Sequence, residues 1–115
     1  MIITISPLGG TAAEQVHSQL RGLITAGKLA ADERLPSVRQ LATDLGIAPG
    51  TVAKAYRQLE EEGLVTSRVG AGTRVSRTAS TVAQDVADAA RGFASAAQRS
   101  GLTRADAERV LRAMW

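Results

Sequence analysis

Between Ser37 and Gly63 the chain carries two short amphipathic helical patterns separated by a three-residue break, and this spacing constrains the fold more than any other feature. Ser37-Val-Arg-Gln40 has the form of a helix capping box, and Val38, Leu41, Ala42 and Leu45 then recur on one side of a helix. Gly46 can supply the left-handed residue that ends it. A second helix opens at Pro49, whose missing N–H is not needed at the first helical position, although Ala48 offers no side-chain acceptor as a cap. Its Val52, Ala55, Tyr56 and Leu59 fall at i, i+3, i+4 and i+7, and Gly63 ends it. Two helices joined this tightly make a helix-turn-helix, in which the second helix can enter the DNA major groove while the first crosses the backbone.

The flanks extend the pattern. Upstream, a β-like start, Ile2-Ile3-Thr4-Ile5, runs into Pro7 and Gly9-Gly10. Thr11-Ala-Ala-Glu14 then caps a helix bearing Val16, Leu20, Leu23 and Ile24, which stops at Gly27. Pro36 biases Leu35 toward extended geometry, so Arg34-Leu35-Pro36 reads as a short extended piece. Downstream, Leu64 to Val69 and Thr73 to Val75 are β-rich and flank Gly70-Ala71-Gly72, a loop of hairpin length. A hairpin directly after a helix-turn-helix makes a winged helix.

Polar Arg77-Thr78-Ala79-Ser80 reads as a linker, and Thr81-Val-Ala-Gln84 opens a fourth helix. That helix carries Val82, Val86, Ala89, Ala90, Phe93 and Ala97 on one face. After Arg99-Ser-Gly101, Thr103-Arg-Ala-Asp106 starts a fifth with Val110, Leu111 and Met114. The expected fold is therefore mainly α with a small β wing: a winged helix-turn-helix over 1–76, then a two-helix dimerisation tail over 77–115. Two apolar stripes on one short helical pair exceed what the pair can bury by itself, which points to a homodimer.

Composition removes most other classes. With no cysteine and a single histidine, His17, the sequence offers neither a disulfide framework nor a metal site. No apolar run approaches the ~20 residues that cross a bilayer, so a soluble, cytoplasmic protein without membrane contact is expected. Gly70-Ala-Gly-Thr73 lacks the Gly-Lys-Ser/Thr continuation of a phosphate-binding loop, and no nucleophile, base and orienter can be assembled; no enzyme activity and no cofactor are expected. Net charge is +3, and Arg68, Arg74 and Arg77 form an acid-free strip, so an anionic partner is favoured.

Individual side chains divide by position. Arg39 and Lys54 lie off the apolar stripes and read as DNA contacts, although Ser37 and Arg39 would also serve simply to start a helix. Arg57 divides evenly between a phosphate contact and pairing with Glu60 or Glu61; Arg68 and Arg74 divide evenly between phosphate contact and solvated strand positions. Tyr56 belongs to the core stripe. His17 reads as a surface or satisfied histidine, and Glu60-Glu61-Glu62, which opposes the helix dipole, as a solvated helix end.

Taken jointly, Gly27-Lys-Leu, Arg34-Leu-Pro-Ser-Val-Arg-Gln-Leu-Ala42, Leu45-Gly-Ile47, Thr51-Val52, Ala55-Tyr-Arg-Gln-Leu-Glu60, Glu62-Gly-Leu-Val65 and Gly70-Ala-Gly-Thr73 strongly resemble the GntR family of bacterial transcriptional regulators. The short helical tail resembles its YtrA-like subfamily, which dimerises through such a tail. The resemblance implies a dimeric repressor on a palindromic operator in double-stranded DNA. Its contacts would be Ser37 and Arg39, then Gly50 and Thr51 at the start of the third helix with Lys54, and Arg68, Gly70 and Gly72 in the wing. Dimerisation would use Val82, Val86, Ala90, Phe93, Ala97, Val110, Leu111 and Met114. Ala48, Pro49 and Ala53 stand where the family often has polar residues or arginines, which leaves Thr51 and Lys54 as the base readers. The tail cannot enclose a ligand cavity of ~300 Å³ or more unless two subunits share it, so any small-molecule effector is unidentified. The alternative reading is a winged-helix protein-interaction or assembly module without sequence-specific DNA binding.

Overall fold

A computed structural model describes every residue except Met1, Thr78, Ser80, Thr81 and Ala83. The expected Thr81 cap and part of the expected linker lie outside the described residues. The elements in order are α1 (Ala12–Thr25), α2 (Val38–Leu45), α3 (Pro49–Glu61), β1 (Val65–Arg68), β2 (Gly72–Val75), α4 (Gln84–Arg99) and α5 (Arg104–Met114). They divide into two compact units, Met1–Thr81 and Val82–Trp115.

Local chemistry sets the helix ends. Thr11 and Glu14 form a reciprocal capping box: Thr11 Oγ1 accepts from the Glu14 amide at 3.2 Å, and the Glu14 carboxylate accepts from the Thr11 amide at 3.4 Å. At α2 only half of the expected box forms. Ser37 Oγ accepts from the Gln40 amide at 3.0 Å, but the Gln40 side chain donates to Asp44 at 2.7 Å, a charged acceptor one turn on. Gly46 ends α2 at φ +67°, a left-handed conformation that lets the Ile47 amide return to Ala42 at 3.0 Å and turns the chain into α3. Ala48 makes no side-chain cap.

The core of the first unit is built around α3. Its Val52, Ala55, Tyr56 and Leu59 are buried together with Val16, Leu20 and Ile24 of α1 and with Leu41 and Ala42 of α2. Val65 and Val75, paired across the antiparallel sheet, close the end of this core with Leu29 and Leu35. The segment before α2 also joins the sheet. An Arg34–Arg74 bridge, Leu35 N–H to the Thr73 carbonyl at 2.8 Å and Val75 N–H to the Glu33 carbonyl at 2.9 Å lay it against β2.

Two sequence expectations change. Residues 2–5 form no strand. Instead, Gln15 and Gln19 of α1 hold the extended chain by its backbone. Gln19 accepts from the Thr4 amide at 3.0 Å and donates to its carbonyl at 2.7 Å; Gln15 does the same to Ser6, at 2.7 Å in both directions. The acidic end of α3 is likewise not merely solvated. The Glu60 carboxylate accepts from the Ser67 amide of β1 at 2.9 Å, and Glu62 pairs with His17 and, at 3.5 Å, with Arg21 of α1. Those acids clasp α3 to its neighbours, which is the favourable counterpart to their clash with the dipole.

In the second unit, Thr103 and Asp106 form a reciprocal capping box at 3.1 and 3.2 Å. Hydrogen bonds from Thr103, then from Arg109, hold the Asp106 carboxyl below its ordinary value. Among the described residues of this unit, Ala97 is the buried apolar one, while Val86, Phe93, Val110, Leu111 and Met114 remain exposed. Among the described residues, no helix is long and apolar enough to cross a membrane.

Candidate nucleic-acid interface

Helix α3 is fixed at both ends by the packing just described, so its remaining surface presents a defined set of side chains. At its start Gly50 is exposed and Thr51 half-buried; Lys54 is exposed one turn on. Tyr56 faces the other way. It is only 5% exposed, and its hydroxyl donates to the Pro36 carbonyl at 2.7 Å, tying α3 to the entrance of α2. Burial pushes its phenol up to about 12. The core reading of Tyr56 therefore holds, and base stacking by it does not.

Ser37 uses its hydroxyl to cap α2, and Arg39 projects exposed from the first turn of that helix. Both candidates are thus brought to the helix-turn-helix, with Ser37 already performing a structural task. Arg57 makes no ion pair with Glu60 or Glu61 among the described residues; it borders an open depression with Lys54, Gln58 and Glu61. His17 is satisfied through Glu62.

In the wing, period-two alternation separates two faces. Val65 and Val75 turn to the core, while Thr66 pairs opposite Arg74 and Arg68 opposite Gly72 on the outer side. Gly70 and Gly72 take φ +81° and +73°, backbone that favours glycine at the tip. The basic strip does not act as one unit. Arg74 donates to the Asp32 carbonyl at 3.1 Å and Arg77 pairs with the Asp32 carboxylate at 3.4 Å, whereas Arg68 has no such partner among the described residues. The structure thus separates Arg68 from Arg74, which the sequence weighs alike.

Sorting every cation of the first unit in this way leaves Lys28, Arg34, Arg39, Lys54, Arg57 and Arg68 without an ion pair or side-chain hydrogen bond among the described residues. Arg34 is absent from the sequence-derived candidates. It gains its position only through the long-range pairing with β2, which no local motif reports. Of the expected dimerisation residues, Val82 is half-buried and Ala97 buried; Val86, Ala90, Phe93, Val110, Leu111 and Met114 are exposed on α4 and α5. Among the described residues, no group of three or more metal-ligating side chains is assembled.

Residues 12–75 match the family described as bacterial regulatory proteins, gntR family. The HTH-type transcriptional regulator Rv1152 of Mycobacterium tuberculosis is 43% identical over 98 residues, which cover 85% of this chain and 80% of that protein. The HTH-type transcriptional repressor YtrA of Bacillus subtilis is 41% identical over 81 residues, or 70% of this chain and 62% of the repressor. Among solved structures, the DNA-binding domain of AraR in complex with operator ORX1 superposes with a TM-score of 0.58 at 28% identity, covering 66% of this chain and 95% of that domain. With its two-stranded wing following a helix-turn-helix, and with matches of this extent, the chain belongs to the GntR family and is a DNA-binding transcriptional regulator.

Proposed function

We propose that the chain acts as a dimeric repressor that occupies a palindromic operator and blocks promoter access. Residues 1–76 are the DNA-binding region and 77–115 the dimerisation region. Arg39 and Arg68 meet phosphates, Gly70 and Gly72 let the wing backbone approach the duplex, and Thr51 with Lys54 at the start of α3 reads base edges. The observation that carries this reading is the sorting of charge: Arg39 and Lys54 of the two tightly joined helices are exposed and unpaired among the described residues, while Arg21, Arg74 and Arg77 are engaged elsewhere. The name of the YtrA relative supports repression, and the AraR complex supports operator binding.

Dimerisation rests on the apolar residues that α4 and α5 leave exposed. A two-fold dimer sets two recognition helices on half-sites about one helical turn, ~34 Å, apart. No cofactor takes part, and a small-molecule effector would need a cavity shared between subunits. Selection from random DNA followed by salt-dependent binding tests the whole reading. A recovered palindrome with steep salt dependence is expected. A single half-site overturns the dimer, and no enrichment overturns operator binding in favour of a protein-interaction module.

A further inference from the structure

We infer that Arg34 is an additional DNA-contacting residue, neutralising a backbone phosphate where the helix-turn-helix meets the wing. Its backbone is fixed by the bridge to Arg74 and by the Leu35–Thr73 hydrogen bond of 2.8 Å. It therefore belongs both to the approach to α2, just before the Ser37 cap, and to the edge of β2. The side chain is seated against the wing itself. Its Nε and Nη2 lie 3.2 Å from where a Cβ on Gly72 would stand, so the missing side chain at Gly72 opens the space in which the guanidinium lies against the wing backbone. Gly72 thus has a local task besides its left-handed φ.

Among the described residues, the charge at this seat has no acidic counterpart. Asp32 and Glu33 are the neighbouring acids, and both carboxylates are directed elsewhere: Asp32 to Arg77 at 3.4 Å, and Glu33 to the Ala30 amide at 3.1 Å. Arg34 itself is exposed and makes no side-chain hydrogen bond among the described residues. A guanidinium fixed at its base, packed against backbone and left without an acid is prepared for an anion from outside, because less ordering remains to be done when that anion arrives. Arg34 lies on the approach to α2, which carries Arg39, and against Gly72, which pairs with Arg68 across the wing, so the anion is a phosphate of the duplex those residues meet.

This inference rests on the proposed DNA-facing surface, and the test separates the two. Arg34→Gln, Arg34→Lys and Arg39→Ala are titrated by fluorescence anisotropy against the selected palindrome and a scrambled duplex, over a range of salt, with thermal melting of each protein. Arg34→Gln should lower the slope of log K against log salt by about one, weaken both duplexes by the same factor and melt like the parent. Arg34→Lys should keep the slope. If Arg39→Ala lowers the slope and Arg34→Gln does not, Arg34 makes no DNA contact. If neither lowers it, the whole surface is misassigned. A loss confined to the palindrome would make Arg34 a base reader and overturn the phosphate assignment, and so would a melting defect with an unchanged slope, which would leave Arg34 a strut for the wing.

Discussion

The two units of this chain solve burial differently. In Met1–Thr81, three helices and the sheet enclose Leu20, Ile24, Val52 and Leu59 completely. In Val82–Trp115, two helices of good local design bury Ala97 and leave Phe93 38%, Leu111 51% and Met114 81% exposed. The second unit is held by capping and by solvent-screened surface pairs such as Arg104–Glu108 at 3.1 Å, interactions that are individually weak. Enclosed apolar volume dominates the first unit and is nearly missing from the second. A helical pair can therefore have well-formed ends and still lack the packing that normally supplies most helical stability.

The strongest way to break this contrast is to remove the second unit. A chain ending at Arg77 should remain folded, as followed by circular dichroism, and run as a monomer in light scattering. Its affinity for a two-half-site operator should fall about 10²- to 10⁴-fold through lost avidity. Undiminished binding, or persistent dimers, would show that the tail is not the dimer interface. Next in size, Leu59→Ala should lower the unfolding free energy of the first unit by about 2–5 kcal/mol, because the cavity opens among fully enclosed neighbours. Phe93→Ala should leave that transition in place and weaken self-association, as read by chemical denaturation and sedimentation.

A pH titration sharpens the contrast within the first unit. Tyr56 is the one tyrosine of the chain, so ultraviolet absorbance reports its ionisation alone. With the folded phenol raised to about 12 by burial and an unfolded value near ~10, its contribution is fully present below pH ~10. It is lost as pH rises toward 12, because the unfolded chain releases the proton first. Phenolate appearing near pH 10 while the helices persist would contradict the enclosed position. The smallest effect is expected from Ala48→Ser, which supplies the missing cap of α3 and should raise stability by about 1 kcal/mol in thermal melts.

Much of this architecture is legible in local sequence. The helix stripes, the Thr11 and Thr103 boxes, the Gly46 turn and the hairpin around Gly70-Ala71-Gly72 all follow from spacing and residue type within one element. What escapes such reading depends on partners far along the chain. Residues 2–5 have the composition of a strand, yet α1 side chains satisfy them instead of a second strand. Glu60 and Glu62 look like an ill-placed charge run until Ser67, His17 and Arg21 are brought to them. The same holds at the proposed DNA-facing surface. Arg39 and Lys54 can be picked out by their position on a helix, whereas Arg74 and Arg68 are distinguished only by where Asp32 lies.

The pairing of Gln15 and Gln19 with Ser6 and Thr4 has a metric basis. Four residues of helix advance ~6 Å, and two residues of extended chain advance ~6.6 Å, so side chains one turn apart meet alternate peptide units of an extended segment running the opposite way. Helix pitch thereby works as a ruler. The ruler needs glutamine, since each amide must both accept and donate, which a carboxylate cannot do. It also sets the phase of the leading segment: with Thr4 and Ser6 gripped by their backbones, Ile3 and Ile5 are the residues that pack against the core. A slip of one residue would turn both isoleucines outward, so α1 determines which side of the chain ahead of it faces in.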